Sequence, residues 1–341
     1  MKKVIETIKN IWSIEDLRGR ILFTLGILAV YRLGVHVVLP GVDTAQLSGE
    51  SKDGLLGLLN MFTGGAFANA SIFALGIMPY ISASIVIQLL GMAIPYFQKL
   101  QKEGESGRRK INSITRYLTI LICAGQGPGY IATQITSTGV ATQPSTLWWT
   151  TSVLILITGT MFVVWLGEKI TDRGIGNGIS LLIMIGIIAN LPGGLMKEVT
   201  KSLDDPTGGM LVMFMVEMVA LLVVIMVSIL LVQGTRRIPV QYAKRVVGNK
   251  QYGGVRQFIP LKVNAAGVMP IIFAQAIMFA PVSIGQLLGN SALGQWLQTN
   301  FSDMFGLWYN ILFGFLIIVF TYFYTAITVP TNKMSDDLKR S

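Results

Sequence analysis

Stretches of around 20 mostly apolar residues recur along this chain. One helix of that length crosses the roughly 30 Å hydrocarbon core of a bilayer. Eight such stretches are read at about 21–39, 72–94, 115–135, 148–167, 177–192, 210–232, 265–288 and 306–329. Lipid offers no hydrogen bonds, so a spanning segment must satisfy its own backbone, as a helix does. The sequence is 52% hydrophobic and only 13% charged, against roughly 25% charged residues in a soluble domain. The expected fold class is therefore an all-α polytopic membrane bundle. The third stretch is the weakest, because Gly125, Gln126, Gly127, Pro128 and Gly129 interrupt it, and the fifth is short and punctuated by glycine. Such broken segments require neighbouring protein or a water-filled cavity to satisfy the loosened backbone.

Loop charge sets an orientation. With the N-terminus in the cytoplasm, residues 1–20 carry five Lys or Arg, 95–116 six, 168–176 two, 233–264 seven and the tail after 329 three. The opposite loops carry only Lys52, Lys197 and Lys201, and Arg32 lies within the first stretch. This is the positive-inside pattern, and it places both termini of the chain in the cytoplasm. It also accounts for the net charge of +10 without any nucleic acid. Residues 1–20 are mixed polar and charged, unlike the short apolar core of a cleavable signal.

Chemistry-bearing residues are sparse. The single cysteine, Cys123, sits in an apolar stretch, and the single histidine, His36, has no partner His or Cys nearby. No metal, disulfide framework or cofactor is expected. There is no HExxH, GxSxG or P-loop motif, so no enzyme activity and no nucleotide site is expected. Intramembrane charge, the usual mark of a coupled transporter, amounts to Arg32 and Glu217. Arg32 is expected to snorkel with His36 toward the outer interface. Glu217 leaves open a transport site, a helix–helix contact or a subunit contact. A solute transporter and a purely structural scaffold remain the alternative functions.

Other features point to a conduit. Residues 55–70, LLGLLNMFTGGAFANA, are too short to span and read as a re-entrant or interfacial helix. Residues 233–264 form a long basic loop with Gly253 and Gly254 at its centre; loops of that length are usually functional. Ile77, Ile81 and Ile85 recur at four-residue spacing in the second stretch, as do Ile179 and Ile183 in the fifth, so each set shares a helix face. Isoleucine at that spacing is most often packing or lipid contact. The functional alternative is a constriction of bulky aliphatic side chains, which closes to water by dewetting.

Several segments resemble one family. MFTGGAFANASIFALGIMPYISASIVIQLL (61–90), KEGESGRRK (102–110), GEKITDRGIGNGISL (167–181), RRIPVQYAKR (236–245), LKVNAAGVMPIIFA (261–274) and YTAITVPTNKMSDDLKRS (324–341) are similar, in order, to the SecY family of bacterial translocons. The resemblance implies an inverted-repeat helical bundle in which two halves of five helices close around an hourglass pore. It implies an N-terminal half at 21–192, a partial C-terminal half at 193–329, and two further membrane segments beyond the eight read here. Ile77, Ile81, Ile179, Ile183 and Ile272 would form the pore ring. Asn60, Met61, Phe62, Thr63, Gly64 and Gly65 would belong to a plug, which its glycines leave with few side-chain anchors. Ile85, Ser180 and Val268 would border a lateral gate through which hydrophobic segments pass into lipid.

The resemblance also implies partners. Arg108, Arg109, Arg236, Arg237, Lys244 and Arg245 would dock ribosomal RNA and the SecA motor ATPase. SecE and SecG would be companion subunits, and signal sequences and unfolded secretory polypeptides would be the cargo. The expected location is the bacterial inner membrane.

Overall fold

The computed structural model describes residues 2–43, 55–136, 145–203, 209–241, 245–247, 250–252, 256–287, 291–302 and 306–329. Helices dominate, and the chain divides into two compact units, Met1–Leu195 and Met196–Ser341.

The first unit holds α1 (Lys2–Ser13), α2 (Glu15–Val35), α3 (Leu55–Phe62), α4 (Met78–Ala93), α5 (Pro95–Lys102), α6 (Glu105–Tyr130), α7 (Thr146–Arg173) and α8 (Gly178–Ala189); α9 (Leu191–Leu203) runs across the boundary. Local chemistry sets the starts. Ser145 accepts a hydrogen bond from the Trp148 amide at 3.2 Å, and Asn177 accepts one from the Ser180 amide at 3.2 Å. These side chains take up amides that the first turn of a helix leaves unpaired. Helix α4 packs on α6, α6 on α7, α7 on α8, and α2 on both α7 and α8.

Glycine makes the closest of these approaches. A Cβ at Gly159 of α7 would stand 2.0 Å from the Ile72 carbonyl oxygen, and one at Gly178 would stand 2.0 Å from the Gly167 carbonyl oxygen. Small residues let backbones meet in lipid, where association depends on packing contact. Phe73 fills the centre of the unit, stacked between Tyr31 and Phe162 at centroid distances of 6.1 and 5.9 Å. Arg116 of α6 and Glu168 of α7 form an ion pair that fastens those two helices.

In the second unit, α10 (Gly209–Gln233) leads into β1 (Thr235–Gln241), which pairs antiparallel with β4 (Arg256–Lys262); β2 (Arg245–Val247) pairs with β3 (Lys250–Tyr252) between them. The Gly234 carbonyl accepts from the Val263 amide at 2.9 Å, closing the ladder at the end of α10. Pro239 and Pro260 lie in the ribbon, tolerable because a two-stranded sheet is all edge. Helices α11 (Met269–Leu287), α12 (Ala292–Ser302) and α13 (Leu307–Thr328) pack together, with Phe273 against Phe320 and Tyr324 at 5.6 and 5.9 Å.

Three details differ from expectation. The second stretch is helical only from Met78; residues 63–77 are turns. The Gly125–Gly129 run does not interrupt α6, which carries Pro128 inside it and passes into a π-helical turn at Ile131–Thr136. The long basic loop is the β-ribbon. Among the described residues four helices are long and apolar enough to cross a membrane: Thr146–Arg173, Gly178–Leu203, Met210–Gln233 and Leu307–Ala326. The pair Met78–Gly91 and Pro95–Lys102, bent by 99°, is a fifth candidate as one broken span. Helix α2 carries charges at both ends, and α6 is diluted by Arg116 and the GQGPGY run.

The glycine contacts are testable. Replacing Gly159 with valine forces the α7 backbone from Ile72 and is expected to destabilise the protein by about 2 kcal/mol or more. Gly314→Ala, where nothing lies within 4 Å, is expected to leave it unchanged. The midpoint of thermal unfolding in detergent distinguishes the two.

Candidate functional site

The first unit contains a segment whose backbone is not helical, yet is buried among helices. Helix α3 ends at Phe62, and the chain reverses through Gly64 and Gly65, whose φ angles are +65° and +93°. That left-handed region suits glycine and strains other residues. The Gly65 amide donates to the Asn60 carbonyl at 2.9 Å, and the Asn60 side-chain oxygen accepts from the Ala68 amide at 2.9 Å. Thr63 Oγ1 accepts from the Phe67 amide at 3.2 Å. The segment thus satisfies part of its backbone internally.

Its remaining carbonyls are met from neighbouring helices. Arg32 of α2 donates to the Gly64 oxygen at 2.8 Å, Tyr31 lies 3.5 Å from the Thr63 oxygen, and Tyr130 of α6 donates to the Phe67 oxygen at 2.8 Å. Gly64 also lies against α8: a Cβ there would stand 3.0 Å from Gly186 Cα, and one at Gly186 would stand 2.6 Å from the Phe62 oxygen. Two expectations change here. Arg32 turns inward to a carbonyl, because a bond to a backbone oxygen satisfies its charge where the lipid interface is not needed. The glycine-rich segment is not weakly anchored; side-chain donors on α2 and α6 hold its main chain.

Beside this segment lies a small, partly open cavity lined by Tyr31, Phe62, Thr63, Ile77, Met78, Ile81 and Ile183. Three isoleucines singled out from the sequence, Ile77, Ile81 and Ile183, therefore converge with Phe62 and Thr63 of this segment. Ile77 is the residue that caps α4 at its N-terminus, and Ile81 follows one turn later. Both are buried. The lining has one phenol and one hydroxyl among aliphatic and aromatic carbon, and no charged side chain. Such a surface excludes water without presenting a group that binds a particular solute.

Other predicted residues stand apart from the cavity. Ile179 is half-buried against Gly167 of α7, which a Cβ would bring to 3.0 Å from its side chain. Ile85 is buried on α4, while Val268, just before α11, is 64% exposed. Ser180 is exposed in the first turn of α8. Ile272 lies on α11 in the second unit, but its side chain falls outside the described residues. Met61 is half exposed at the end of α3.

Among the basic residues, Arg108 and Arg109 are exposed in the first turn of α6, with Arg109 paired to Glu105 at 2.8 Å. Arg236 and Arg237 are exposed on β1, opposite Leu261 and Pro260. As successive strand residues they face opposite sides of the ribbon. Arg245 begins β2, and Lys244 lies outside the described residues. Glu217 is exposed on α10, an 18-residue stretch of which buries nothing within the protein, and no ion pair reaches it among the described residues. It has none of the convergent polar groups of a midplane solute site.

Sequence reasoning missed Tyr31, Tyr130 and Gly186 as parts of this site. Arg32 carried a signal, being a charge inside an apolar stretch, but its partner is a carbonyl 32 positions away in sequence.

The SecY family profile matches residues 71–341. The protein translocase subunit SecY of Streptomyces scabiei is 43% identical over 340 residues, covering 95% of this chain and 77% of the relative. A solved protein-conducting channel superimposes with a TM-score of 0.60 at 16% identity, over 91% of this chain and 71% of that one. A SecY structure concerned with the plug domain gives a TM-score of 0.51 at 18% identity, over 85% and 60%. At those identities the two structures establish likeness of fold.

The Asn60 bond offers a direct check on the re-entrant segment. Asn60→Ala leaves the Ala68 amide without its acceptor, a cost of about 1–3 kcal/mol. Amide hydrogen exchange across residues 60–71 is expected to accelerate at least about fivefold, which the lower half of that cost already supplies, while exchange in α7 stays unchanged.

Proposed function

The chain belongs to the SecY family, and on that premise we propose that it lines a polypeptide-conducting channel whose constriction includes Ile77, Ile81 and Ile183 and whose plug is the 55–70 segment. The observation that carries this reading is the convergence of those isoleucines with Phe62 and Thr63 around one apolar cavity. A conduit for arbitrary sequence needs a seal that yields to any side chain and grips none. Bulky aliphatic groups satisfy that requirement by excluding water when they meet and by deforming around a chain when they part. Ile179 and Ile272 belong to the same proposed ring on the strength of the resemblance alone.

The related SecY structure concerns a plug domain that stabilises the closed state and maintains a membrane seal. The 55–70 segment suits that role here, being buried at Thr63, Gly64, Ala66, Phe67 and Ala70 and lining the cavity through Phe62 and Thr63. Ile85, Ser180 and Val268 would line the lateral route into lipid. The exposed Val268 and Ser180 suit surfaces that a signal helix could reach. Driving force would come from outside the chain, from a motor ATPase or an elongating ribosome, with SecE and SecG as companion subunits. The membrane is the bacterial inner membrane, with both termini of this chain in the cytoplasm, as the loop charges favour.

Two experiments test the reading. Photo-cross-linkers at Ile81 and Ile183 are expected to capture a stalled secretory precursor, while one at Leu222 on the exposed face of α10 captures lipid only. Loss of adducts at both isoleucines, with precursor still bound, would overturn the pore assignment. For docking, charge reversal at Arg236 and Arg237 is compared one at a time. Because the two face opposite sides of the ribbon, one reversal is expected to weaken binding of ribosome or motor about tenfold at low salt and the other under twofold. Equal, small effects at both would remove the ribbon from the docking surface.

A further inference from the structure

Arg32 lies in the last turn of α2, within a mostly apolar stretch, and a charge in such a position is expensive unless its donors are met. Among the described residues it forms no ion pair. Its guanidinium instead donates to the carbonyl oxygen of Gly64 at 2.8 Å. That carbonyl stands two residues past the end of α3 (Leu55–Phe62), in the turn that leaves the helix. The left-handed turn at Gly64 and Gly65 presents the oxygen to α2. A side chain at Gly64 would bring a Cβ to 3.0 Å from the guanidinium itself.

We propose that Arg32 is the latch of the closed state, a positioning residue that holds the 55–70 segment over the isoleucine cavity by its bond to the Gly64 carbonyl. The inference rests on the plug assignment above and adds the element that keeps the plug seated. A second contact is backbone against backbone: Gly186 of α8 meets Phe62 and Gly64 with no side chain between them. The segment thus rests against a cation on α2 and a glycine on α8. The latch is also independent of cargo sequence. Any polypeptide entering the passage carries carbonyl oxygens of its own, so Arg32 exchanges one backbone acceptor for another when the plug leaves.

The test uses membrane vesicles containing the assembled translocase with this chain. Two quantities are read: potassium leak through the idle channel, and export of a precursor with a defective signal sequence. Arg32→Gln is expected to raise the idle leak about tenfold, the shift expected when a charge-assisted bond to one of two states is lost. It is also expected to admit the defective precursor. Arg32→Lys keeps the charge and one donor and should stay within about threefold of the parent. Gly186→Ala places a Cβ 2.6 Å from the Phe62 oxygen and should leak like Arg32→Gln while Arg32 remains intact.

Sealed Arg32→Gln vesicles that still cross-link precursor from Ile81 would overturn the latch and leave the pore reading standing. Loss of the Ile81 cross-link in the parent would overturn the pore reading, and the latch with it. Should Arg32→Gln fail to accumulate, Arg32→Met, which keeps an apolar stem and removes every donor, decides in its place: a tight channel overturns the proposal and a leaky one upholds it.

Discussion

A backbone in lipid must answer its own hydrogen bonds, and the rest of this structure depends on how it does so at one place. Helices satisfy the requirement locally, and α7, α10 and α13 need nothing further. Residues 63–77 do not form a helix; part of their backbone pairs within the segment and part with groups from elsewhere. Tyr31, Arg32 and Tyr130 supply them to Thr63, Gly64 and Phe67. The Leu39 amide pairs with the Ala70 oxygen and the Ile72 amide with the Val37 oxygen, both at 2.9 Å. Short residues on the surrounding helices make this possible: Gly34 leaves room for the Phe73 ring, and Gly186 for the Phe62 carbonyl. The cavity exists because this irregular segment is fixed there.

The same arrangement explains how an apolar constriction and a polar anchorage coexist within a few ångströms. Most side chains facing the cavity are aliphatic or aromatic, while Arg32 and Tyr130 bond the segment's main chain without lining the cavity and Tyr31 does both. Packing supplies closure to water and the main-chain bonds supply position. Neither could serve alone, since a purely apolar plug would have no fixed register and a purely polar one would admit water.

Much of the architecture was legible in the sequence because its signals are local. Apolar length marked the helices, but the 55–70 stretch, read as one short helix, is helical only over Leu55–Phe62 and turns from Thr63. The resemblance of long ordered motifs gave the family. What escaped were features set by partners distant along the chain. The GQGPGY run reads as a break, yet α6 continues through it, since Gly127 packs on Val153 and α7 covers that face. Ile77 looked like a residue inside a helix, but a left-handed turn at Gly76 makes it the cap. Arg32 looked interfacial because its acceptor is a carbonyl, which no residue type announces. Four-residue spacing could not separate Ile81, which faces the cavity, from Ile85, which is buried elsewhere on the same helix.

Helix α10 is the opposite case, since the 18-residue stretch that marks it as a span buries nothing inside the protein. Among the described residues no neighbour within this chain dictates which apolar side chain stands at a given point on it, only that the sum remains apolar. Packing inside the chain therefore leaves its leucines, valines, isoleucines and methionines free to interchange. Gly159, Gly178 and Gly186, each facing a backbone oxygen closer than any side chain allows, have no such freedom. Divergent members of a lineage built on this plan should drift fastest along the helix that looks most membrane-like, and slowest at residues with no side chain at all.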